Sequence, residues 1–239
     1  MQKKILVAFD FDHTIIDKNT DTYIFNLIPK GLPRHLEESR KGSQWTEFMQ
    51  SVFDHLYKIG KSPTNITEFM KTLKLTAGMH ELLSDIEAME NVDAIIISDS
   101  NTIFIDIILK HQKLQNSVTS VFTNPAKFDA DGKLRIEMFH IQNYCNISSI
   151  NLCKGQILED FKKDQEKLGV VYSHVLYVGD GSNDYCPALK LNKQDMVFAR
   201  SGYTLEKKLE KNDDVKAKSI VWESGITILD HLKQLNMNL

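Results

Sequence analysis

Residues 5–14 read ILVAFDFDHT, an apolar run that stops at two aspartates with one residue between them. A short run that is apolar at every position is typical of a strand buried on both faces in a parallel sheet. Similar runs recur at residues 94–97, 175–178, 196–199 and 220–222. Segments with helical spacing alternate with them, for example residues 103–113 and 154–168. This alternation predicts an α/β fold, a doubly wound and mostly parallel sheet with right-handed crossovers.

The composition is that of an ordinary globular protein and gives no sign of a nucleic-acid or membrane partner. The chain has 239 residues, 42% hydrophobic and 26% charged, with a formal net charge of -3. That charge creates no field that would attract nucleic acid or an anionic membrane. No stretch approaches the ~20 apolar residues of a membrane helix, and the N-terminal run is too short for a signal peptide. Three cysteines are too few for a disulfide framework, and we therefore expect a soluble, cytoplasmic protein with reduced thiols.

Residues 17–77 interrupt the alternation, because they contain no β-like run. Asn65 and Glu68 have the spacing of a capping box at the start of a helix. We predict a helical cap over residues 17–77, inserted after the first strand into an α/β core of residues 1–16 and 78–239. Within the cap, helical spacing predicts one amphipathic helix whose buried stripe comprises Trp45, Phe48, Met49, Val52, Phe53, Leu56 and Tyr57.

A second local signal lies further along the chain. Asp131-Gly132 stands between two β-prone segments, and this dipeptide is typical of a two-stranded hairpin. We therefore predict a short hairpin within residues 128–139. No internal repeat accompanies it.

Polar side chains cluster after three of the predicted strands, where open α/β sheets bind their ligands. Any one group could simply cap a helix, since Asp, Ser and Thr favour that position. Clustered carboxylates, however, are costly without a compensating cation, and Mg²⁺ binds through carboxylates. The pattern therefore predicts a magnesium site formed at these strand ends, which carry Asp10, Asp12 and Thr14, then Ser98 and Asp99, then Asp180 and Asp184.

Four motifs in order resemble those of the haloacid dehalogenase-like phosphatases. Residues 9–14, FDFDHT, match the Asp-x-Asp-x-Thr signature, Ser98 the second motif, Lys154 the third and residues 179–184, GDGSND, the fourth. The similarity extends over nearly the whole chain to the subgroup of phosphoethanolamine/phosphocholine phosphatase and pyridoxal phosphate phosphatase, and the compact length resembles the latter. The stretches that carry this similarity are residues 10–17, 45–49, 95–101, 121–126, 151–154 and 202–205.

The resemblance implies a Mg²⁺-dependent phosphatase that works through an aspartyl-phosphate intermediate. Asp10 would attack phosphorus, and Asp12 would act as general acid and then as general base. To act as an acid near neutral pH, Asp12 needs a raised pKa, which burial beside Asp10 favours. Mg²⁺ would bind the carboxylates of Asp10 and Asp180 and the main-chain carbonyl of Asp12.

The same resemblance implies roles for the residues around this centre. Ser98 and Lys154 would hold the phosphoryl oxygens, through a hydroxyl and a point charge respectively. Asp184 would orient a water on the metal from the second layer, and Thr14 would brace the loop of the nucleophile. His13 is interpreted as a variable position of the motif.

Two further acids, Asp21 and Asp99, match positions that the subgroup uses to bind substrate. Carboxylates beside a phosphate pocket suit a substrate that carries a cation beyond its phosphate, such as an ammonium or a pyridinium. The alternative is that each acid caps a helix. The preferred substrate is a small phosphorylated metabolite, pyridoxal 5'-phosphate first and phosphoethanolamine or phosphocholine second, and a helical cap over the pocket would favour such small molecules.

Other interpretations remain open at this point. The chain could be a phosphoserine-type phosphatase, or a relative that binds phosphorylated ligands without catalysis, although intact Asp10 and Asp12 argue against the latter. A response-regulator receiver is disfavoured, because it carries its acceptor aspartate on a later strand.

A zinc site is a separate possibility in the second half of the chain. Cys145, Cys153 and His140 lie near one another in the sequence. They supply three ligands where a structural zinc site needs four. Plain thiols are the preferred interpretation.

Overall fold

The structure, a computed structural model, describes residues 2–237. One sheet of six parallel strands forms its centre, in the order β3-β2-β1-β6-β7-β8. The strands are β1 (Gln2–Phe9), β2 (Val92–Asn101), β3 (Ser120–Asn124), β4 (Ala126–Phe128), β5 (Leu134–Ile136), β6 (Val170–Gly179), β7 (Met196–Arg200) and β8 (Lys218–Trp222). The helices are α1 (Thr20–Tyr23), α2 (Arg34–Ser39), α3 (Trp45–Lys58), α4 (Pro63–Met70), α5 (Met79–Glu87), α6 (Thr102–His111), α7 (Lys154–Lys167), α8 (Tyr185–Ala188), α9 (Thr204–Lys211) and α10 (Gly225–Asn236), with a 3₁₀ turn at Ile24–Leu27.

The sheet confirms the predicted fold class, since every apolar run named in the sequence lies in one of its strands. β1 is central and pairs in parallel with both β2 and β6, with Phe9 opposite Ile96 and Val178. This register brings the carboxyl ends of three strands to one edge of the sheet. Apolar side chains cover both faces of the sheet, as expected for strands sandwiched between helices.

Helices α1 to α4 lie between β1 and β2, the region for which we predicted a helical cap. Five residues of the predicted stripe of α3 are buried, namely Phe48, Met49, Val52, Phe53 and Leu56, whereas Trp45 is half-buried and Tyr57 is exposed. Phe53 packs edge-to-face on Phe104 of α6 with ring centroids 5.7 Å apart. An antiparallel bridge joins Ile16 to Leu75, so the chain leaves and re-enters the α/β layer at neighbouring points. The apolar cluster continues from these helices into the sheet. The division at residues 17 and 77 into cap and core therefore stays a prediction.

The capping box predicted for Asn65 and Glu68 is wrong. The box is formed by Ser62 and Asn65, each side chain bonding the other's backbone, at the start of α4. Pro63 at the first helical position fixes the backbone one turn earlier than we expected. Glu68 instead accepts a hydrogen bond from Lys71 at 2.7 Å on the exposed face.

The predicted hairpin is present as the antiparallel pair β4-β5, over residues 126–136 and so starting two residues earlier than expected, and Gly132 adopts φ 82° in its turn. Gln50 of α3 fastens this hairpin. Its side chain donates to the Leu134 carbonyl at 3.2 Å and accepts from the Ile136 N–H at 3.0 Å. The hairpin therefore packs on the inserted helices. Within residues 2–237, no helix is long and apolar enough to cross a membrane.

Candidate active site

The sheet edge at the end of β1 carries a buried lysine between two carboxylates. Asp10 follows Phe9 directly, and Lys154 opens α7 with no exposed surface. The Lys154 Nζ lies 2.8 Å from Asp10 Oδ1 and 2.8 Å from Asp184 Oδ1. The Phe11 N–H also donates to Asp10 Oδ1, at 2.7 Å. In residues 2–237 no hydrogen bond uses Asp10 Oδ2, which leaves that oxygen for a ligand.

Asp184 is held rigidly in the loop after β6. Besides Lys154, the Tyr177 hydroxyl donates to its Oδ1 at 2.7 Å, and the N–H groups of Asp180 and Gly181 donate to its Oδ2 at 3.0 and 2.8 Å. Gly179 precedes this loop, and a Cβ there would stand 2.5 Å from the Asp184 carboxylate. The glycine thus permits the close approach of backbone and carboxylate that the motif needs.

Three buried carboxylates lie close enough together to place a metal ion among them. Single oxygens of Asp10, Asp180 and Asp184 lie within 4.8 Å of one another, and all three residues are buried. With Lys154 they leave a formal charge of -2, which one divalent cation would neutralise. Burial raises the pKa of Asp10 well above its usual range, and burial with the Asp184 charge raises the pKa of Asp180 to about 7. An all-oxygen donor set fits a hard cation such as Mg²⁺.

Asp12 is oriented by the residues that begin α1. Its carboxylate accepts hydrogen bonds at 3.0 Å from the Asn19 side chain and from both the N–H and the hydroxyl of Thr20. Burial raises the pKa of Asp12 to about 8, helped by the Asp21 charge and opposed by the Thr20 bonds. A carboxyl with that pKa is protonated in part at neutral pH, as a general acid must be.

Ser98 and Thr14 lie beside the residues described above. Ser98 is buried within β2, three residues before its carboxyl end, and its Oγ accepts the Ser100 N–H at 3.2 Å and lines the cavity described below. The Thr14 hydroxyl donates to Asp180 Oδ1 at 3.3 Å and so links the segment after β1 to the loop after β6. His13 adopts the left-handed conformation, φ 57°, and its ring stacks at a tilt beside Tyr203.

Neither Asp21 nor Asp99 caps a helix. The caps are Asn19 for α1 and Asn101 for α6, whose side chains accept the N–H groups of Thr22 and Phe104, so the capping alternative for the two acids is wrong. Asp21 is buried within the first turn of α1, where its Oδ2 accepts the Trp45 indole N–H at 2.6 Å and its buried Oδ1 has no partner in residues 2–237. Burial raises the pKa of Asp21 to about 7, against the Trp45 hydrogen bond.

Asp99 faces the cavity and is fixed by two amides. The side chains of Asn151 and Asn183 donate to its two oxygens at 3.0 and 2.6 Å. Burial raises the pKa of Asp99, and the nearby Lys154 charge opposes that rise. A carboxylate held on both oxygens is a preorganised partner for a cationic group.

These residues enclose one small cavity at the carboxyl edge of the sheet. Its volume is about 170 Å³, and it is lined by Asp10, Asp12, His13, Asn19, Ser98, Asp99, Lys154, Asp180, Gly181 and Asn183. A larger groove of about 270 Å³ lies at the amino end of β6, but it is lined by surface residues such as Glu159 and Lys162. The smaller cavity is therefore the candidate active site.

The sequence argument missed several residues that orient the ones it named. Asn19 and Thr20 hold Asp12, Tyr177 holds Asp184, and Trp45 holds Asp21. Asn19-Thr20 could have been found, because they follow the first motif and have the character of a helix start. Tyr177 and Trp45 gave no such signal, since both read as apolar positions of a strand and of a helix stripe.

Comparisons with known proteins identify the family of the chain. A profile of the family described as "Putative Phosphatase" matches residues 5–236. Pyridoxal phosphate phosphatase PHOSPHO2 of Rattus norvegicus is 43% identical over 97% of this chain and 98% of its own length. Phosphoethanolamine/phosphocholine phosphatase of Homo sapiens is 30% identical over 97% of this chain and 89% of its own length. A solved substrate complex of phosphoserine phosphatase shares the fold, with TM-score 0.63 at 18% identity over 97% of this chain and 99% of that chain. The chain therefore belongs to this phosphatase family, as its motifs predicted, and is a phosphoric monoester hydrolase of haloacid dehalogenase-like fold.

Proposed function

We propose that the protein hydrolyses pyridoxal 5'-phosphate with Mg²⁺, through an aspartyl-phosphate intermediate formed on Asp10. The observation that carries the choice of substrate is the 43% identity to a pyridoxal phosphate phosphatase over nearly both full lengths, against 30% to the phosphoethanolamine/phosphocholine phosphatase. The cavity of about 170 Å³ supports a small metabolite rather than a phosphoprotein.

In the first step Asp10 Oδ2 attacks phosphorus. A bond forms between that oxygen and phosphorus while the bond from phosphorus to the ester oxygen breaks. Asp12 gives its proton to the departing oxygen, which leaves as an alcohol. The pKa of about 8 supports this role, because the carboxyl holds a proton near neutral pH.

In the second step water cleaves the aspartyl phosphate. Asp12, now ionised, takes a proton from the water while the water oxygen attacks phosphorus. The bond between phosphorus and Asp10 Oδ2 breaks, so inorganic phosphate leaves and the Asp10 carboxylate is restored. The hydrogen bonds from Asn19 and Thr20 keep the Asp12 carboxylate in place through both proton transfers.

Charge stabilisation comes from groups already fixed before substrate binds. Lys154 is held between Asp10 and Asp184, and the Ser98 hydroxyl faces the cavity. Both groups can therefore donate hydrogen bonds to phosphoryl oxygens. Asp10 and Asp180, with the Asp12 carbonyl, would hold Mg²⁺, and Asp184 would orient its waters. When bound, the metal supplies positive charge that offsets the charge of the transferring phosphoryl group.

Asp99, which lines the cavity, and Asp21, which is buried outside its lining but acts electrostatically on Asp12, would favour a cation on the substrate. Asp21 keeps a buried oxygen without a partner, and Asp99 is presented to the cavity by two asparagines. An unpaired buried carboxylate is costly, and a protonated ring nitrogen or an ammonium would relieve that cost. This feature also favours phosphoethanolamine or phosphocholine as the second candidate, because both carry a cationic nitrogen.

The test is phosphate release from a panel of esters, with Mg²⁺ or with EDTA, beside Asp10→Asn. Mg²⁺-dependent release from pyridoxal 5'-phosphate that is absent in Asp10→Asn supports the reaction and the substrate. Release from phosphoethanolamine or phosphocholine alone moves the substrate to the second candidate. No release from any ester by folded protein would favour a relative that only binds phosphorylated ligands.

The cation hypothesis has its own variants. Asp21→Asn and Asp99→Asn should raise KM for esters that carry a cationic nitrogen more than for p-nitrophenyl phosphate, which has none. Glu47→Gln, which removes an exposed acid from the same helix as Trp45, is the matched control and should leave KM for both kinds of ester unchanged. Equal losses on both kinds of ester would reject cation recognition.

A further inference from the structure

All three cysteines of the chain meet at one point behind the active site. Cys145 lies in the irregular segment 137–153, Cys153 caps α7, and Cys186 lies in α8. Their sulfur atoms are all within 4.8 Å of one another. Cys186 Sγ is 3.5 Å from Cys145 Sγ and 3.8 Å from Cys153 Sγ. The sequence grouped only the first two, because Cys186 is far away along the chain.

A fourth polar atom completes the group. The Ser148 hydroxyl oxygen is 3.4 Å from Cys145 Sγ and 3.4 Å from Cys153 Sγ. His140, which the sequence grouped with these cysteines, is not a fourth donor because it makes a different hydrogen bond. Its Nε2 accepts the Cys153 N–H at 2.8 Å. The donor set is therefore three thiols and one hydroxyl.

Four of the six separations among these donor atoms match a tetrahedral site. With Zn–S of about 2.3 Å, two sulfurs on a tetrahedral zinc ion lie roughly 3.8 Å apart, and a sulfur and an oxygen ligand roughly 3.5 Å apart. The two sulfur distances and the two oxygen distances given above fall within 0.3 Å of these values. A disulfide would join only two of the three sulfurs and would not explain why the third thiol and the hydroxyl lie beside them.

The turn that carries two of the donors is built around a buried amide. The Gln142 side chain donates to the carbonyls of Cys145, Ser148 and Ser149 at 2.9 to 3.2 Å. Its Oε1 accepts the N–H groups of Tyr144 and Cys145. The positions of Cys145 and Ser148 are thereby fixed relative to each other. Cys145 is only half-buried and offers a path for an ion to enter.

We propose that Cys145, Cys153, Cys186 and Ser148 bind a structural Zn²⁺ ion, separate from the Mg²⁺ of the active site. Three thiolates select a soft or borderline ion and not magnesium. Residues 137–153 contain no regular helix or strand, and an ion that ties them to α7 and α8 would order them. Cys153 directly precedes Lys154 and Cys186 follows Asp184 by two residues, so the ion would also fix the catalytic lysine and its partner from behind.

The first test is metal content and cobalt spectroscopy on the full chain. Protein purified with zinc and dialysed against Mg²⁺ should retain one zinc ion per chain by mass spectrometry. Co²⁺ in its place should give the thiolate-to-cobalt absorption and the visible bands of a tetrahedral site. Cys145→Ser should weaken zinc binding about tenfold or more, and Ser148→Cys, which offers a fourth thiolate, should tighten it about tenfold or more.

The active-site variant serves as the control. Asp10→Asn should abolish phosphate release and keep the zinc content and the cobalt spectrum unchanged, which separates this proposal from the proposed function. Circular dichroism establishes that Cys145→Ser and Ser148→Cys are folded. A folded, reduced chain that binds neither ion overturns the proposal. A metal-free chain isolated with a Cys145–Cys186 disulfide also overturns it, in favour of a redox pair.

Discussion

Replacing Lys154 with methionine removes the ammonium that lies between the buried carboxylates of Asp10 and Asp184. The ammonium lies 2.8 Å from both Asp10 and Asp184, and the side chain has no exposed surface. Methionine keeps the length and apolar character of the stem. The change therefore isolates the loss of charge.

The expected loss of stability is large in the absence of metal. Breaking a buried ion pair by removing one partner costs about 3–5 kcal/mol, because the other charge stays buried and uncompensated. Asp184 retains its bonds from Tyr177 and two backbone N–H groups, whereas Asp10 Oδ1 retains only the Phe11 N–H. We expect the cost to fall mainly on Asp10.

The assay is urea unfolding in EDTA and in Mg²⁺, followed by circular dichroism. With a slope of about 3 kcal/mol per molar, the midpoint in EDTA should fall by roughly 1 to 1.7 M. Mg²⁺ should restore more stability to Lys154→Met than to the unmodified chain, because the variant's site has one more uncompensated negative charge. Lys167→Met, an exposed lysine on the same helix paired with Asp164, is the matched control and should leave the midpoint unchanged.

The pH gives a further check with a defined sign. Burial already raises the pKa of Asp10, and loss of the ammonium raises it further. The Asp10 carboxyl is then neutral at low pH and charged at high pH, so the loss of stability should shrink as the pH falls from about 8 towards 5. A midpoint in EDTA equal to that of the unmodified chain at pH 8 would refute the argument that Lys154 compensates these carboxylates.

Three further outcomes are expected. Burial raises the pKa of Asp21 from 3.8 to about 7, so the free energy of unfolding falls as the pH rises between these two values. Asp21→Asn should remove this fall. The free energy of unfolding of Asp21→Asn, relative to that of the unmodified chain, should therefore rise by up to about 1.4 kcal/mol per pH unit. A flat difference between pH 4 and 7 would contradict it. Tyr177→Phe removes the hydroxyl that donates to Asp184 and should cost about 1.5–3 kcal/mol in urea unfolding. Thr20→Val removes one hydroxyl donor from Asp12 and should lower kcat more than it raises KM, whereas an unchanged kcat would exclude a positioning role for Thr20.

The fold could be predicted from the sequence because its signals are local. The apolar run 5–9 is followed at once by a change to polar residues, and such a run has few structural solutions. The capping box was predicted one turn too late because two residue pairs have the same spacing. Ser62 with Asn65 and Asn65 with Glu68 both fit the capping-box pattern. Only the backbone set by Pro63 decides between them.

The orientation of the site residues could not be predicted in this way. Asp21 and Asp99 both stand near helix starts, where an acid is usually a cap, yet Asn19 and Asn101 take that role. The indole that holds Asp21 comes from Trp45, a position that reads as helix packing. Such pairings depend on how helices pack against each other, and no local pattern records them.

By itself, the sequence determined the parallel α/β sheet, the order of the four motifs and the membership of a phosphatase family. These follow from local periodicity and from residue types at fixed spacing, and both can be recognised without knowing how the helices and strands pack. Only the tertiary structure brought Lys154 between Asp10 and Asp184, and Cys186 beside Cys145 and Cys153. Those contacts join residues far apart in the chain, and their geometry exists only after the helices have packed on the sheet.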